Sequence, residues 1–328
     1  MRAAFYESAG AAREVLRIGD IETPVPGPGE VLVRVAASGV NPSDVKRRAR
    51  ASAATTHFPR VVPHSDGAGT IEAVGAGIPA GRVGERVWLY NGQWERPFGT
   101  AAEHVALPST QAVSLPDGIA FDAGASLGVP AMTAVHAVER CGPLLGRTIV
   151  VTGAAGSVGL YATQFATLGG ARVIAVVSSA AKAALATRAG AALTFNYRTL
   201  GIDDTIAQIR AATSGQGADV AIDVDASTWA SHYATLLAFG GKAIAYGSNQ
   251  PEIAMPFGLA IRSFVAVEFF IVYRLPPDAM TRTTTAITRL LSDGRLQPPE
   301  TERYPLDRIV DAHEAVEHGT TTKVVVTP

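Results

Sequence analysis

Thr148-Ile149-Val150-Val151-Thr152-Gly153-Ala154-Ala155-Gly156-Ser157-Val158-Gly159 spells a strand, a tight turn and the start of a helix. The β-branched run favours extended backbone, the glycines punctuate it, and Leu160-Tyr161-Ala162-Thr163-Gln164-Phe165-Ala166 continues in helical composition. Gly156 lets the backbone approach a pyrophosphate, and Gly159 lets the helix pack closely on the strand. The helix N-terminus supplies unpaired N–H donors and a positive dipole end. The chemistry of such a turn is anion binding by backbone. Ala154 stands where the usual dinucleotide fingerprint has its first glycine, so the turn taken alone also reads as purely structural. Its position at the head of a run of βαβ units makes it a dinucleotide site.

Outward from the turn, the chain divides by rhythm. Beyond Pro130, apolar runs at 148–152, 172–177, 192–197, 219–223 and 242–246 alternate with Ala-rich helical segments, and a sixth strand is expected at 264–272. That alternation predicts an α/β fold with a doubly wound parallel sheet. Before about residue 120 the pattern is short strands between Pro- and Gly-rich turns, at 31–35, 67–75 and 86–90, which reads as a β-rich, barrel-like unit. The terminal Lys323-Val324-Val325-Val326 is too short to fold alone and is expected to rejoin that unit. The organisation expected is a catalytic domain over 1–122, a nucleotide domain over 123–265, and a segment 266–328 that ends the sheet and returns to the first domain.

Composition narrows the function. With 47% hydrophobic residues, 328 residues can bury one large core or two smaller ones. A balance of 28 Lys and Arg against 29 Asp and Glu leaves a net charge of −1, which disfavours a nucleic-acid partner. Cys141 is the sole cysteine, which excludes an internal disulfide framework and a cysteine-rich zinc site and fits a reducing compartment. No uncharged apolar run reaches signal-peptide or membrane-spanning length, so a soluble, cytoplasmic protein with no membrane partner is expected.

About twenty residues past such a loop, an Asp or Glu would hold the 2′-hydroxyl of an NAD ribose. The chain instead reads Val177-Ser178-Ser179-Ala180-Ala181-Lys182. Ser178 can donate to a 2′-phosphate and Lys182 can supply charge, so NADPH is expected over NADH. The alternative leaves Lys182 as a solvated helix residue.

Several further elements stand in telling order. They are Gly39-Val40-Asn41-Pro42-Ser43-Asp44, Pro63-His64-Ser65-Asp66-Gly67-Ala68-Gly69, Gly99-Thr100-Ala101-Ala102-Glu103-His104, Met132-Thr133-Ala134 and Tyr246-Gly247-Ser248. With the phosphate loop, they resemble the medium-chain dehydrogenase/reductase superfamily over nearly the whole chain. Within it they resemble the zinc-independent, zeta-crystallin-like quinone oxidoreductases. The resemblance implies a Rossmann-type sheet, a GroES-like barrel as catalytic domain, and NADPH-dependent quinone reduction. It implies that Ser178, Lys182 and Tyr197 hold the 2′-phosphate and that Ala155, Gly156, Ser157 and Val158 bind the cofactor. It further implies that Asn41 and Thr133 lie beside the nicotinamide, with Tyr246 and Ser248 near the cofactor. Zinc-binding relatives carry a Cys where this chain has Ser38 and Gly-His-Glu where it has His64-Ser65-Asp66. Ser65 thus stands at a ligand position, His64 is offset by one, and no metal is expected. His64 also replaces a usual glycine, and a usual Tyr after Asp44 gives way to Val45-Lys46-Arg47-Arg48. In relatives the sixth strand pairs across a two-fold axis, which implies a homodimer; burial under the following helix is the alternative.

Without a Lewis acid, alcohol oxidation loses its main transition-state stabilisation. Reduction of an electrophilic acceptor needs alignment and a donor to the developing oxyanion. Asn41 is the candidate donor, an Asx-type cap before Pro42 being the alternative. His64 reads either as a donor to substrate oxygen or as a turn residue beside Asp66. Asp44 and Asp66 read as acid/base groups or as partners of Arg47 or Arg48. Tyr90, Trp94 and Phe269 are candidate walls for a flat acceptor, with surface-loop packing the alternative for Tyr90 and Trp94. The acceptor is left open between a quinone and an α,β-unsaturated carbonyl, whether alkenal, enone or enoyl thioester. A non-catalytic, crystallin-like NADPH-binding protein is the rival from another class.

Overall fold

Strands β1 (Arg2–Phe5), β2 (Arg17–Asp20), β3 (Glu30–Gly39), β4 (Asp66–Val74), β5 (Arg86–Leu89), β6 (His104–Pro108) and β7 (Ala112–Ser114) come first along the chain, with helix α1 (Pro42–Arg50) between β3 and β4. They are seen in a computed structural model that describes residues 1–50 and 58–328. β3 is the spine of this region, pairing antiparallel with β4 and with β6. Its Val31, Val33 and Val35 are buried at alternate positions, the period of a strand with one face on the core. Each such valine contributes about 1.5 kcal/mol or more by leaving water. Two register shifts in the β3–β4 ladder add the local twist that a curled sheet needs.

Helix α2 (Gly128–Arg140) leads to a second sheet built from β8 (Thr148–Thr152), β9 (Arg172–Val177), β10 (Leu193–Asn196), β11 (Ala218–Asp223), β12 (Leu237–Ala245) and β13 (Ala266–Phe269). All neighbours are parallel, in the order β10-β9-β8-β11-β12-β13. The winding reverses between β8 and β11, the point at which doubly wound sheets open a ligand crevice at their strand ends. β8 and β9 fall on the expected positions. β12 begins at Leu237 rather than at residue 242, and β13 keeps four residues of the expected 264–272. Phe264 adopts a left-handed φ of 53°, and Val272–Arg274 tightens into a 3₁₀ turn, so extended backbone is interrupted on both sides.

The tail supplies β14 (Thr301–Pro305) and β15 (Lys323–Thr327). β15 pairs parallel with β14 and antiparallel with the end of β3, through Val325 to Gly39 and Val326 to Ser38. Its return to the first sheet is the one expected. The chain therefore divides into Met1–Val129 with Thr284–Pro328, and Pro130–Thr283. The tail carries His313 on the helix Ile309–His318 and Lys323 on β15 into the first unit.

Candidate functional site

In the second unit, β8 delivers the phosphate loop at its C-terminal end, and Gly153 turns the chain with a left-handed φ of 58°. The helix Ser157–Leu168 then starts with Gly156 as its N-cap. A Cβ on Gly159 would lie 2.4 Å from the Gly153 oxygen and 2.6 Å from the Ala154 Cα, so glycine alone permits this helix–turn contact. A Cβ on Gly156 would meet only the Gly153 oxygen, at 3.3 Å, and would otherwise fill the open space before the loop. That space is a cradle for a phosphate chain, and the loop fits a dinucleotide.

A cavity of about 290 Å³ continues from the cradle, and Ala155, Gly156, Ser178, Lys182 and Tyr197 line it together. Ser179 caps the helix Ala180–Arg188 by accepting from the Lys182 backbone N–H, which leaves the Ser178 hydroxyl for the Lys182 ammonium, 3.1 Å away. The Tyr197 ring stands edge-on to Trp229, with centroids 6.0 Å apart. Ser157 and Val158 lie in the first turn of their helix, outside the lining. Tyr246 follows β12; its buried hydroxyl has no hydrogen-bond partner, and burial holds its phenol protonated. Ser248 donates to the Gln250 carbonyl at 2.6 Å, two residues along the chain. Thr133 is buried on α2, and Phe269, at the end of β13, is 61% exposed.

Asp225, Trp229 and Asn249 also line the cavity and were not anticipated. The Asp225 carboxylate accepts from the Thr228 hydroxyl at 2.7 Å and from the Asn249 amide at 2.9 Å. These residues follow β11 and β12 as Ser178 follows β9, so the strand-end rule that found Ser178 could have found them.

In the first unit, Asn41, Asp44, Asp66 and Lys323 form one buried network. Asn41 Nδ2 donates to Asp66 Oδ2 at 2.7 Å, and Lys323 Nζ donates to Asn41 Oδ1 at 2.6 Å. The side chain of Asn41 therefore does not cap α1. Asp44 does so instead, accepting from the Asn41 backbone N–H at 2.8 Å. Asp66 meets neither Arg47 nor Arg48: its second oxygen accepts from the Val129 N–H at 2.8 Å, and its ion pair is with Lys323 at 3.9 Å. Burial, opposed by Lys323, pushes the Asp66 carboxyl up to about 7, and burial raises Asp44. Arg47 reaches Gln93 and lies over the Trp94 ring, while the wholly buried Arg48 pairs with Glu317.

His64 is wholly buried with a left-handed φ of 77°, a conformation that costs a bulky residue and suits the glycine it replaces. Its Nδ1 lies 2.8 Å from Ser38 Oγ and its Nε2 2.9 Å from His313 Nε2. Thr100 donates to the Asp66 carbonyl and stands 2.8 Å from Ser38 Oγ, so the direction of the whole chain is fixed. Ser38 donates to Thr100, His64 Nδ1–H to Ser38, and His313 Nε2–H to His64 Nε2. Both ring nitrogens of His64 are thus engaged within the fold. The Tyr90 hydroxyl is likewise turned inward, to the Thr110 carbonyl at 3.1 Å. The Cys141 thiol is buried and pushed up to about 12 by that burial. Among the described residues, no three His, Cys, Asp or Glu side chains are grouped to hold a metal ion, and no helix is long and apolar enough to cross a membrane.

Comparisons with known proteins agree with this architecture. The family described as "Alcohol dehydrogenase GroES-like domain" matches residues 27–117, and "Zinc-binding dehydrogenase" matches residues 157–289. A quinone oxidoreductase of Homo sapiens is 30% identical over 312 residues, spanning 93% of this chain and 91% of its own. One from Pseudomonas aeruginosa is 30% identical over 322 residues, 96% of each. The mycobacterial protein Rv1454c, solved in complex with NADPH, is similar over 100% of both chains with a TM-score of 0.89 and 28% identity.

Proposed function

The chain belongs to the quinone oxidoreductase family of the medium-chain dehydrogenase/reductases, and from that membership we propose that it is an NADPH-dependent reductase that passes hydride to a quinone without a catalytic metal. The observation that carries the reading is the Ser178–Lys182 pair on the cavity wall, with no carboxylate at the end of β9. A carboxylate there would repel a 2′-phosphate, whereas a hydroxyl and an ammonium hold it. NADPH, when bound, supplies the hydride. The loop amides and the helix N-terminus hold its pyrophosphate, and Tyr197 joins Ser178 and Lys182 at the 2′-phosphate. Thr133, Tyr246 and Ser248 complete the cofactor's surroundings, and Asn41 donates to the acceptor oxygen. Ser38 and Ser65, both poor zinc ligands, support chemistry without zinc. The single buried Cys141 fits a cytoplasmic location.

NADPH absorbance, followed with metal-stripped protein against 1,4-benzoquinone, 9,10-phenanthrenequinone and an alkenal, tests the reading. The quinones are expected to win in kcat/KM, and NADPH to beat NADH. Lys182→Ala is expected to raise KM for NADPH about 10- to 100-fold and to leave NADH nearly unchanged, the loss of one charge-assisted contact. A higher kcat/KM for the alkenal would move the substrate class to unsaturated carbonyls. NADPH binding without turnover would make the protein a non-catalytic binder.

The partner in this reading is a second copy of the chain. Among the described residues β13 pairs with β12 on one side only, and Phe264, Phe269 and Ile271 of the apolar run are exposed in the single chain. Phe239 and Phe264 lie 5.1 Å apart and are 76% and 70% exposed. A two-fold axis at that edge would satisfy both copies' free backbone groups and cover both patches. Sedimentation at micromolar concentration is expected to give the dimer mass, and Phe264→Glu to shift it to monomer. A monomer at every concentration for the unaltered chain would refute the dimer.

A further inference from the structure

Lys323 enters the first unit from the last strand of the chain, and its side chain is 2% exposed. A lysine is almost never buried this deeply unless it is paired. Its partners are the Asn41 Oδ1 at 2.6 Å and, more distantly, the Asp66 carboxylate at 3.9 Å, with Asp44 adding a second nearby carboxyl. Gly39 makes the passage: a Cβ there would lie 3.1 Å from Lys323 Cε and 2.0 Å from the Ala125 oxygen. The lysine stem thus crosses the end of β3 beside a glycine that the Ala125 carbonyl requires.

The consequence falls on Asn41. An amide presents an oxygen and a nitrogen that could exchange places by a half-turn, but here an ammonium meets one end and a carboxylate the other. Only one orientation matches donors to acceptors. In that orientation one Nδ2–H points to Asp66, and the second has no partner among the described residues. The ammonium on Oδ1 also draws electron density out of the amide, which strengthens the remaining N–H as a donor.

We propose that Lys323 is a positioning residue for Asn41, fixing and polarising the amide whose free N–H donates to the oxygen that gains charge during hydride transfer. This rests on the reading of Asn41 as that donor. Lys323 itself touches neither substrate nor cofactor in this scheme; it acts through Asn41.

The test compares Lys323→Met, Lys323→Gln, Asn41→Ala and the double variant Asn41→Ala/Lys323→Met, reading kcat and KM for quinone and the Kd for NADPH. Lys323→Met is expected to lower kcat about tenfold, a part of the hundredfold or more that loss of a donor costs. KM and the Kd for NADPH are expected to stay near the unaltered values. Lys323→Gln keeps a neutral donor to Asn41 and is expected to recover to within about threefold of full kcat. The double variant is expected to be no slower than Asn41→Ala alone. If the two losses multiply instead, Lys323 acts independently and the proposal is overturned while Asn41 keeps its role. If Asn41→Ala leaves kcat intact, the reading of Asn41 fails and takes the proposal with it. Should Lys323→Met not fold, Lys323→Gln with and without Asn41 decides: a loss of kcat within about threefold that vanishes when Asn41 is alanine supports the proposal, and a loss that persists there, or none at all, overturns it.

Discussion

Replacing Asn41 by alanine is expected to slow quinone-dependent NADPH oxidation by about a hundredfold or more in kcat, with little change in NADPH affinity. Hydride arriving at a quinone pushes charge onto its oxygens, and a donor already aimed at that oxygen lowers the barrier without reorganising as the reaction proceeds. In the proposed function Asn41 is that donor, and its amide is held at both ends, by Lys323 and by Asp66. Alanine removes the N–H but leaves the two charges, 3.9 Å apart, free to close on each other, so the fold is expected to survive. The loss should therefore fall on the transition state, in kcat, and not on ground-state binding. Single-turnover rates at saturating NADPH measure it directly; a rate within about threefold of the unaltered enzyme would remove Asn41 from the chemistry.

What could be read from the chain, and what could not, follows from the range of the interactions. β8 and β9 are legible because β-branched runs end there at turn residues; Ser178 and Lys182 stand at a strand end within one βαβ stretch, Tyr197 is pointed to only by the family resemblance, and the three line one cavity. The expected strand 264–272 is longer than β13 because the run is apolar except for Glu268, and hydrophobicity alone does not mark where extended backbone ends. Lys323 and His313 were invisible as site residues, since they meet Asn41 and His64 across 282 and 249 residues. No local pattern marks either, and only the return of the tail to β3 brings them in. His64 shows the same limit from the other side. Its place at a glycine position was apparent, but the partners that hold a histidine there in left-handed backbone were not.

That histidine pair contributes to the response of the fold to acid. The His313 imidazole is held down to about 3 by burial and by the Arg48 charge, and His64 well below its ordinary value by burial, His313 and Lys323. Protonating His64 at Nε2 would set N–H against the N–H of His313, and a proton on His313 Nδ1 would find no acceptor. Between about pH 6.5 and pH 3 the unfolded chain therefore takes up protons that the folded chain refuses. Stability is full above pH 6.5 and falls as the pH drops through this window, by up to about 1.4 kcal/mol per pH unit for each histidine. Asp66 works in the opposite sense, since its folded carboxyl titrates near 7 and takes up a proton that the unfolded carboxyl releases down to its ordinary range. Acid unfolding of the unaltered protein alone would mix the two. His313→Gln separates them, because the glutamine amide can still donate to His64 Nε2 and cannot titrate. Urea unfolding at pH 7.5, 6 and 5 is expected to show the variant losing about 1.4 kcal/mol less per unit below pH 6.5. Parallel curves for the two proteins would mean that His313 titrates alike in the folded and the unfolded chain, and its burial would then play no part in the response to acid.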